Sequence, residues 1–225
     1  MISIGLAAVF FVGLHLLVAG TGLRDRLVRG LGEPLYLGAF SVAAAVGITW
    51  LCAAWAGTPA AAPAWNGAPL RPVVWVLMFV AFQFVAIGLT TSSPTMTGGE
   101  DKLESGAPAR GILRITRHPF LWGVALWGAC HVAVNSDPAS LLFFGSLGLL
   151  AILGPPSIDA KRRRKHGESW ERFAAATSSV PFAAIVAGRN RLVVGELGVW
   201  RIGLGVVLYA AFLASHALLF GASPF

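Results

Sequence analysis

Residues Ile2 to Gly20 read ISIGLAAVFFVGLHLLVAG, nineteen positions without a formal charge and with one histidine near the middle. A helix needs about 20 apolar residues to cross a hydrocarbon core, so this stretch is long enough to span a membrane. No basic segment precedes it, and no small-residue cleavage site leads into a polar chain. It is therefore expected to stay in place as a helix rather than leave as a signal peptide. The rest of the chain repeats the pattern: 56% of the 225 residues are hydrophobic, 12% are charged, and the mean hydropathy is +0.73. Such a composition excludes an ordinary soluble domain. An all-α polytopic membrane protein follows, with residues 1–225 forming a single membrane domain.

Six spans are expected, at Ile2 to Gly20, Leu35 to Ala56, Pro72 to Thr91, Pro119 to Val134, Ala139 to Pro155 and Gly198 to Phe220. The net charge of +7 does not point to nucleic acid, because sixteen of the seventeen basic residues fall in the first, third and fifth connections. Only Arg71 lies in another connection. The positive-inside rule makes the basic connections cytoplasmic, so both termini face the periplasm if the membrane is a bacterial inner membrane. The fifth connection continues past the basic run Lys161 to Lys165. There Trp170, Phe173, Ala174 and Thr177 share one helical face, predicting an interfacial amphipathic helix. Cys52 and Cys130 lie in apolar segments without metal-ligand spacing and carry no redox signal.

The chemistry points to the histidines. His15, His131 and His216 fall within spans, where ionisable groups are costly and mark function. Without nearby cysteine or carboxylate partners they do not make a zinc site. One or two imidazoles among apolar, aromatic and small residues suit a heme. His15 has Gly13, Ala19 and Gly22 nearby, and His131 has Gly128 one turn back and Trp127 four residues away. Counted from the nearest basic connection, His15 is about 13 Å and His131 about 18 Å deep, which lets one porphyrin lie between them. His216, about 22 Å deep, is expected to play a supporting role. Arg117 and His118, ahead of Pro119 at a helix start, suit an anionic group such as a heme propionate. His166 in the basic run is expected to be solvated.

A set of short motifs resembles the NnrU family of bacterial membrane proteins. They are His15 with Leu23-Arg24, Gly32-Glu33-Pro34-Leu35-Tyr36, the run Gly111 to Pro119 with Trp127 and His131, His166-Gly167-Glu168, and Val180 to Ile185. The pattern is also similar to ζ-carotene isomerases, and that resemblance implies heme b with His15 and His131 as its axial, iron-binding ligands. It further implies a hydrophobic polyene or lipid substrate, no nucleic acid partner, and a cis-trans isomerase activity. Where the isomerase has a cysteine one turn before its second histidine, this chain has Gly128. Cys130 points elsewhere on the helix, so ligand exchange on reduction does not carry over. An accessory or sensor protein of nitrite and nitric oxide metabolism is the other reading that the family name implies. The run Arg117-His118-Pro119 with Gly167, Glu168, Trp170, Phe173 and Pro181 also resembles isoprenylcysteine carboxyl methyltransferases, which use S-adenosylmethionine. Leu121 replaces that family's tyrosine, and methyl transfer has no use for His15 or His131.

The charge partition makes the topology testable. Reporter fusions after Arg29, Arg110 and Arg191 are expected to read cytoplasmic, and a fusion between Ala60 and Pro63 external. A cytoplasmic signal from the connection that carries Arg71 would overturn the span assignment.

Overall fold

The computed structural model describes residues 1–59, 61–96, 98–99, 101–104 and 109–224. Helix α1 (Ile2–Gly13) runs into a π-turn, Leu14–Val18, and the chain then bends by 80° into α2 (Gly22–Leu31). Thr21 makes the corner: its hydroxyl donates to the Leu17 carbonyl at 2.5 Å and accepts from the Leu23 amide at 3.2 Å. That acceptance caps the first turn of α2. The bend turns Arg24, Arg26 and Arg29 onto a short amphipathic helix. Gly32, at φ 81°, reverses the chain into α3 (Glu33–Ala56).

After α3 come α4 (Arg71–Thr90), α5 (Asp101–Glu104), α6 (Ile112–Ile115), α7 (Pro119–Val134), α8 (Pro138–Ala176), α9 (Ala183–Val186) and α10 (Val199–Phe220). The long helices pack in the order α3, α1, α8, α7, α4, α10, with α3 also touching α8. Among the described residues, α3, α4, α8 and α10 are each long and apolar enough to cross a membrane, and the bent pair α1 and α2 adds a fifth candidate. The expected fourth span, α7, is apolar but only sixteen residues long. Val9, Val42, Val76, Val207 and Leu218 are among the large side chains left exposed. Water would penalise such surfaces, whereas acyl chains accept them.

Packing at the middle of the bundle depends on missing side chains. A Cβ on Gly128 would lie 2.9 Å from the Gly148 Cα and from the Phe144 carbonyl of α8. One on Gly123 would lie 2.6 Å from Val85 and 2.9 Å from the Ala81 carbonyl of α4. Small residues let helix backbones approach closely where lipid offers no hydrophobic drive for association. The α7 helix is thereby held on both sides.

Helix α8 does not end at Pro155, where the fifth span was expected to stop. It continues through Pro155 and Pro156 to Ala176, with a kink at Gly167 (φ 49°). At 1.5 Å per residue, about 20 residues cross the hydrocarbon, so the second half of the helix projects beyond it. The basic run is helical, and the apolar face of the amphipathic stretch turns inward. Trp170 and Phe173 pack with Leu103, Ile112, Leu113 and Ile115 in a small core outside the bundle, leaving Trp170 fully buried.

Gly128→Leu is expected to force α7 and α8 apart and to lower stability in detergent by about 1–3 kcal/mol, read as an earlier thermal transition. Gly203→Ala, where nothing lies within 4 Å of the new methyl group, is expected to leave that transition unchanged or raise it.

Candidate functional site

His15 sits in the π-turn, a local widening of the helix that often marks functional positions. Its Nδ1 is 2.8 Å from the Phe11 carbonyl, and its ring lies 4.5 Å from Phe11 and 5.3 Å from Phe40. His131, in the last turn of α7, repeats the arrangement. There Nδ1 is 2.9 Å from the Trp127 carbonyl, and the ring stacks on Phe144 at 4.4 Å beside Trp127 at 4.7 Å. His216 places Nδ1 2.7 Å from the Ala222 carbonyl. A carbonyl accepts only a protonated Nδ1, which leaves Nε2 of each neutral ring with its lone pair free. As donors, all three imidazoles suit a metal.

His15 and His131 lie near different parts of α3. His15 touches Phe40 near the start of α3, whereas His131 stacks on Phe144, which lies 5.6 Å from Trp55 near the end of that helix. Fifteen residues of helix separate Phe40 from Trp55, a rise of about 22 Å. Two imidazoles on one iron need nitrogens about 4 Å apart, twice a metal–nitrogen bond of about 2 Å. The bend at Thr21 explains why counting residues from Arg24 misplaces His15. Span one ends at the bend, so His15 lies near the basic side of the bundle and His131 near the far side. The two rings thus lie toward opposite ends of α3.

Arg117 and His118, by contrast, are brought together with a partner that the sequence does not pair with them. Asp159, on the projecting part of α8, accepts from Nε and Nη2 of Arg117 and from Nε2 of His118 at 2.8 Å. His118 is 2% exposed and Asp159 9%. The anion suited to this Arg-His pair is therefore the chain's own carboxylate. Arg117 also lies over the Trp170 ring, 5.8 Å from its centre. Burial tends to raise the Asp159 carboxyl, but the hydrogen bonds from His118 and Arg117 outweigh it and hold the group below its ordinary value. Burial pushes His118 down, and Asp159 only partly offsets that, so the ring is neutral and donates through Nε2. The signal that could have identified Asp159 is its isolation: it is the one acid between the apolar half of α8 and the basic run.

The backbone around this cluster is tied to the segment following α8. Arg117 N donates to the Ser178 carbonyl, while the Thr116 hydroxyl and Trp122 Nε1 both donate to the Ser179 carbonyl, at 2.6 and 2.7 Å. Arg114 adds a two-pronged pair with Glu196, at 2.7 and 2.9 Å, and a bond to Asn190. The Arg114 bond and the Gly111 amide hold the Glu196 carboxyl down to about 2. Two basic connections far apart in sequence thus close on each other.

A family model described as NnrU protein matches residues 3–224. Among curated proteins, the chain is 34% identical over 132 residues to the chloroplastic 15-cis-zeta-carotene isomerase of Arabidopsis thaliana, covering 56% of this chain and 34% of that protein. It is 30% identical over 125 residues to the enzyme of the same description from Zea mays, covering 55% and 33%. The chain thus spans about a third of the length of these relatives. No solved structure matches it.

The cluster fixes a pH dependence. Both Asp159 and His118 have folded-state values below their unfolded ones, so each favours folding at higher pH and the stabilisation is lost on acidification. Stability is expected to hold above pH ~6.5, decline below that as His118 protonates only in the unfolded chain, and decline further below ~4 through Asp159. His118→Gln should remove the first decline in a detergent melting series. Asp159→Asn should cost about 3 kcal/mol by leaving the Arg117 charge uncompensated.

Proposed function

The chain belongs to the NnrU family, and on that premise we propose that it is an integral membrane isomerase that converts a cis double bond of a carotenoid-type polyene to trans. The observation that carries this reading is the 34% identity with a 15-cis-zeta-carotene isomerase over more than half of the chain. The physical setting agrees with it. A long polyene partitions into the same hydrocarbon layer as α3, α4, α8 and α10, so it can reach the protein laterally. Geometric isomerisation leaves every σ bond in place, but the π component of one double bond must be weakened while that bond rotates, so the site has to hold the polyene and also lower the order of that bond. The bacterial inner membrane with periplasmic termini is part of the same proposal.

Heme b is the group implied by the family resemblance, and we retain it with a narrower role for this chain's residues. The free Nε2 atoms suit iron singly, but the pair does not, so no step is assigned to a heme held between His15 and His131. His131, against Trp127 and Phe144, offers the apolar aromatic setting that a flat macrocycle requires. Arg117 and His118 are engaged by Asp159 and are not needed to hold a propionate.

Two measurements test this reading. Protein reconstituted in lipid and supplied with 15-cis-zeta-carotene should raise the trans fraction on chromatography above that of a protein-free bilayer. No change, with or without added heme, would sink the isomerase reading. If the purified protein carries heme, a single axial imidazole predicts a high-spin ferric spectrum. His131→Ala should then lower heme content while His15→Ala leaves it unchanged. A low-spin spectrum abolished equally by both substitutions would mean that the helices rearrange to bring the two rings together.

A further inference from the structure

Between the projecting part of α8 and the segment that follows it lies a cavity of about 460 Å³, bordered by Arg117, Arg163, Glu171, Ser179, Val180 and Arg189. Three arginines border it; Arg117 is bound to Asp159, while Arg163 and Arg189 keep part of their hydrogen-bonding edges free. Arg117 uses Nε and Nη2 on Asp159, Arg163 uses Nε on Glu171, and Arg189 uses Nη1 on the Ala175 and Thr177 carbonyls. The remaining N–H groups have no partner among the described residues. Asp159 balances Arg117 and Glu171 balances Arg163, while Arg189 meets no carboxylate among those residues. One positive charge is left over. The Arg163–Glu171 pair is itself more than half exposed, at 56% and 54% of the two side chains, so it is weakly held and open to exchange.

The surroundings identify the kind of anion. Val180 is 56% exposed, Phe182 45% and Val186 86%, an apolar strip directly beside the cavity. Phe182 has φ 65°, a left-handed conformation costly for a bulky residue, and its amide bond to the Ile115 carbonyl holds it there. In a membrane protein such a strip lies among acyl chains, which places the guanidinium groups at the level of the lipid headgroups. We propose that this cavity is a binding site for one anionic membrane phospholipid. Its phosphodiester sits between Arg163 and Arg189, and its chains run along Val180, Phe182 and Val186. The single charge of phosphatidylglycerol matches the single uncompensated arginine. This site is separate from the proposed isomerase activity and does not depend on it.

The test uses the full-length protein, delipidated in detergent and titrated with phosphatidylglycerol, phosphatidylcholine or inorganic phosphate, with bound species counted by native mass spectrometry. One phosphatidylglycerol per chain is expected, bound about tenfold more tightly than phosphatidylcholine. Arg163→Ala should weaken it several-fold, whereas Arg164→Ala, which removes the same charge outside the cavity, should not. Arg189 also caps the end of α8, so its substitution could unfold the segment. Val180→Asp therefore serves as the second variant and should abolish retention by placing a carboxylate on the apolar strip. Equal loss from Arg164→Ala, or equal affinity for phosphatidylcholine, would reduce the observation to general attraction to a basic surface and overturn the proposal. Inorganic phosphate binding as tightly as phosphatidylglycerol would make this a soluble-anion site and overturn the lipid assignment.

Discussion

The close approach of α7 to both of its neighbours is the constraint on which the arrangement rests. Gly128 lies against the α8 backbone and Gly123 against that of α4, and no side chain larger than hydrogen fits at either contact without movement. Lipid competes with every apolar side chain on equal terms, so helices in a bilayer associate through shape and close contact rather than through burial. Once α7 is fixed between α4 and α8, its ends are fixed as well. Its first turn brings Arg117 and His118 beside Asp159, and its last turn lays His131 on Phe144.

The two ends of α7 have different chemistry as a result. Near the basic side, a buried carboxylate holds an arginine and a neutral histidine, and the same strand of backbone is strapped to the segment around Ser178 and Ser179. A charge removed from water is stable there only because it is paired, so the cluster joins the membrane bundle to the small core built around Trp170. Near the far side, His131 is surrounded by aromatic rings. One end is suited to holding structure at a membrane surface; the other offers an imidazole nitrogen to whatever enters from the bilayer. Membership of the NnrU family and the likeness to plant carotene isomerases give that second feature its proposed use. The cavity bordered by Arg189 gives the first end a use of its own.

Much of this molecule was legible in the sequence. Helices and membrane residence follow from apolar segments of spanning length, because an unpaired peptide group in hydrocarbon is too costly for any open structure. The one-sided distribution of basic residues follows from the same solvent, and the fold gathers the three basic connections at one end through Arg117 with Asp159, Arg114 with Glu196, and Ser157 with Gly20. The start of α7 at Pro119 and the shared face of Trp170 and Phe173 can both be read from residue type and spacing. Only the tertiary structure decided three other things. Thr21 turns the chain through 80°, and the packed bundle sets His15 against Phe40 near the start of α3 but His131 on Phe144, beside Trp55 near its end, which residue counting along an assumed straight span could not reveal. Helix α8 runs on through two prolines, a local rule overridden by packing on either side. Asp159 meets Arg117 and His118 across more than forty positions of chain, and no local pattern encodes a pairing that depends on how two helices are brought together by glycines elsewhere.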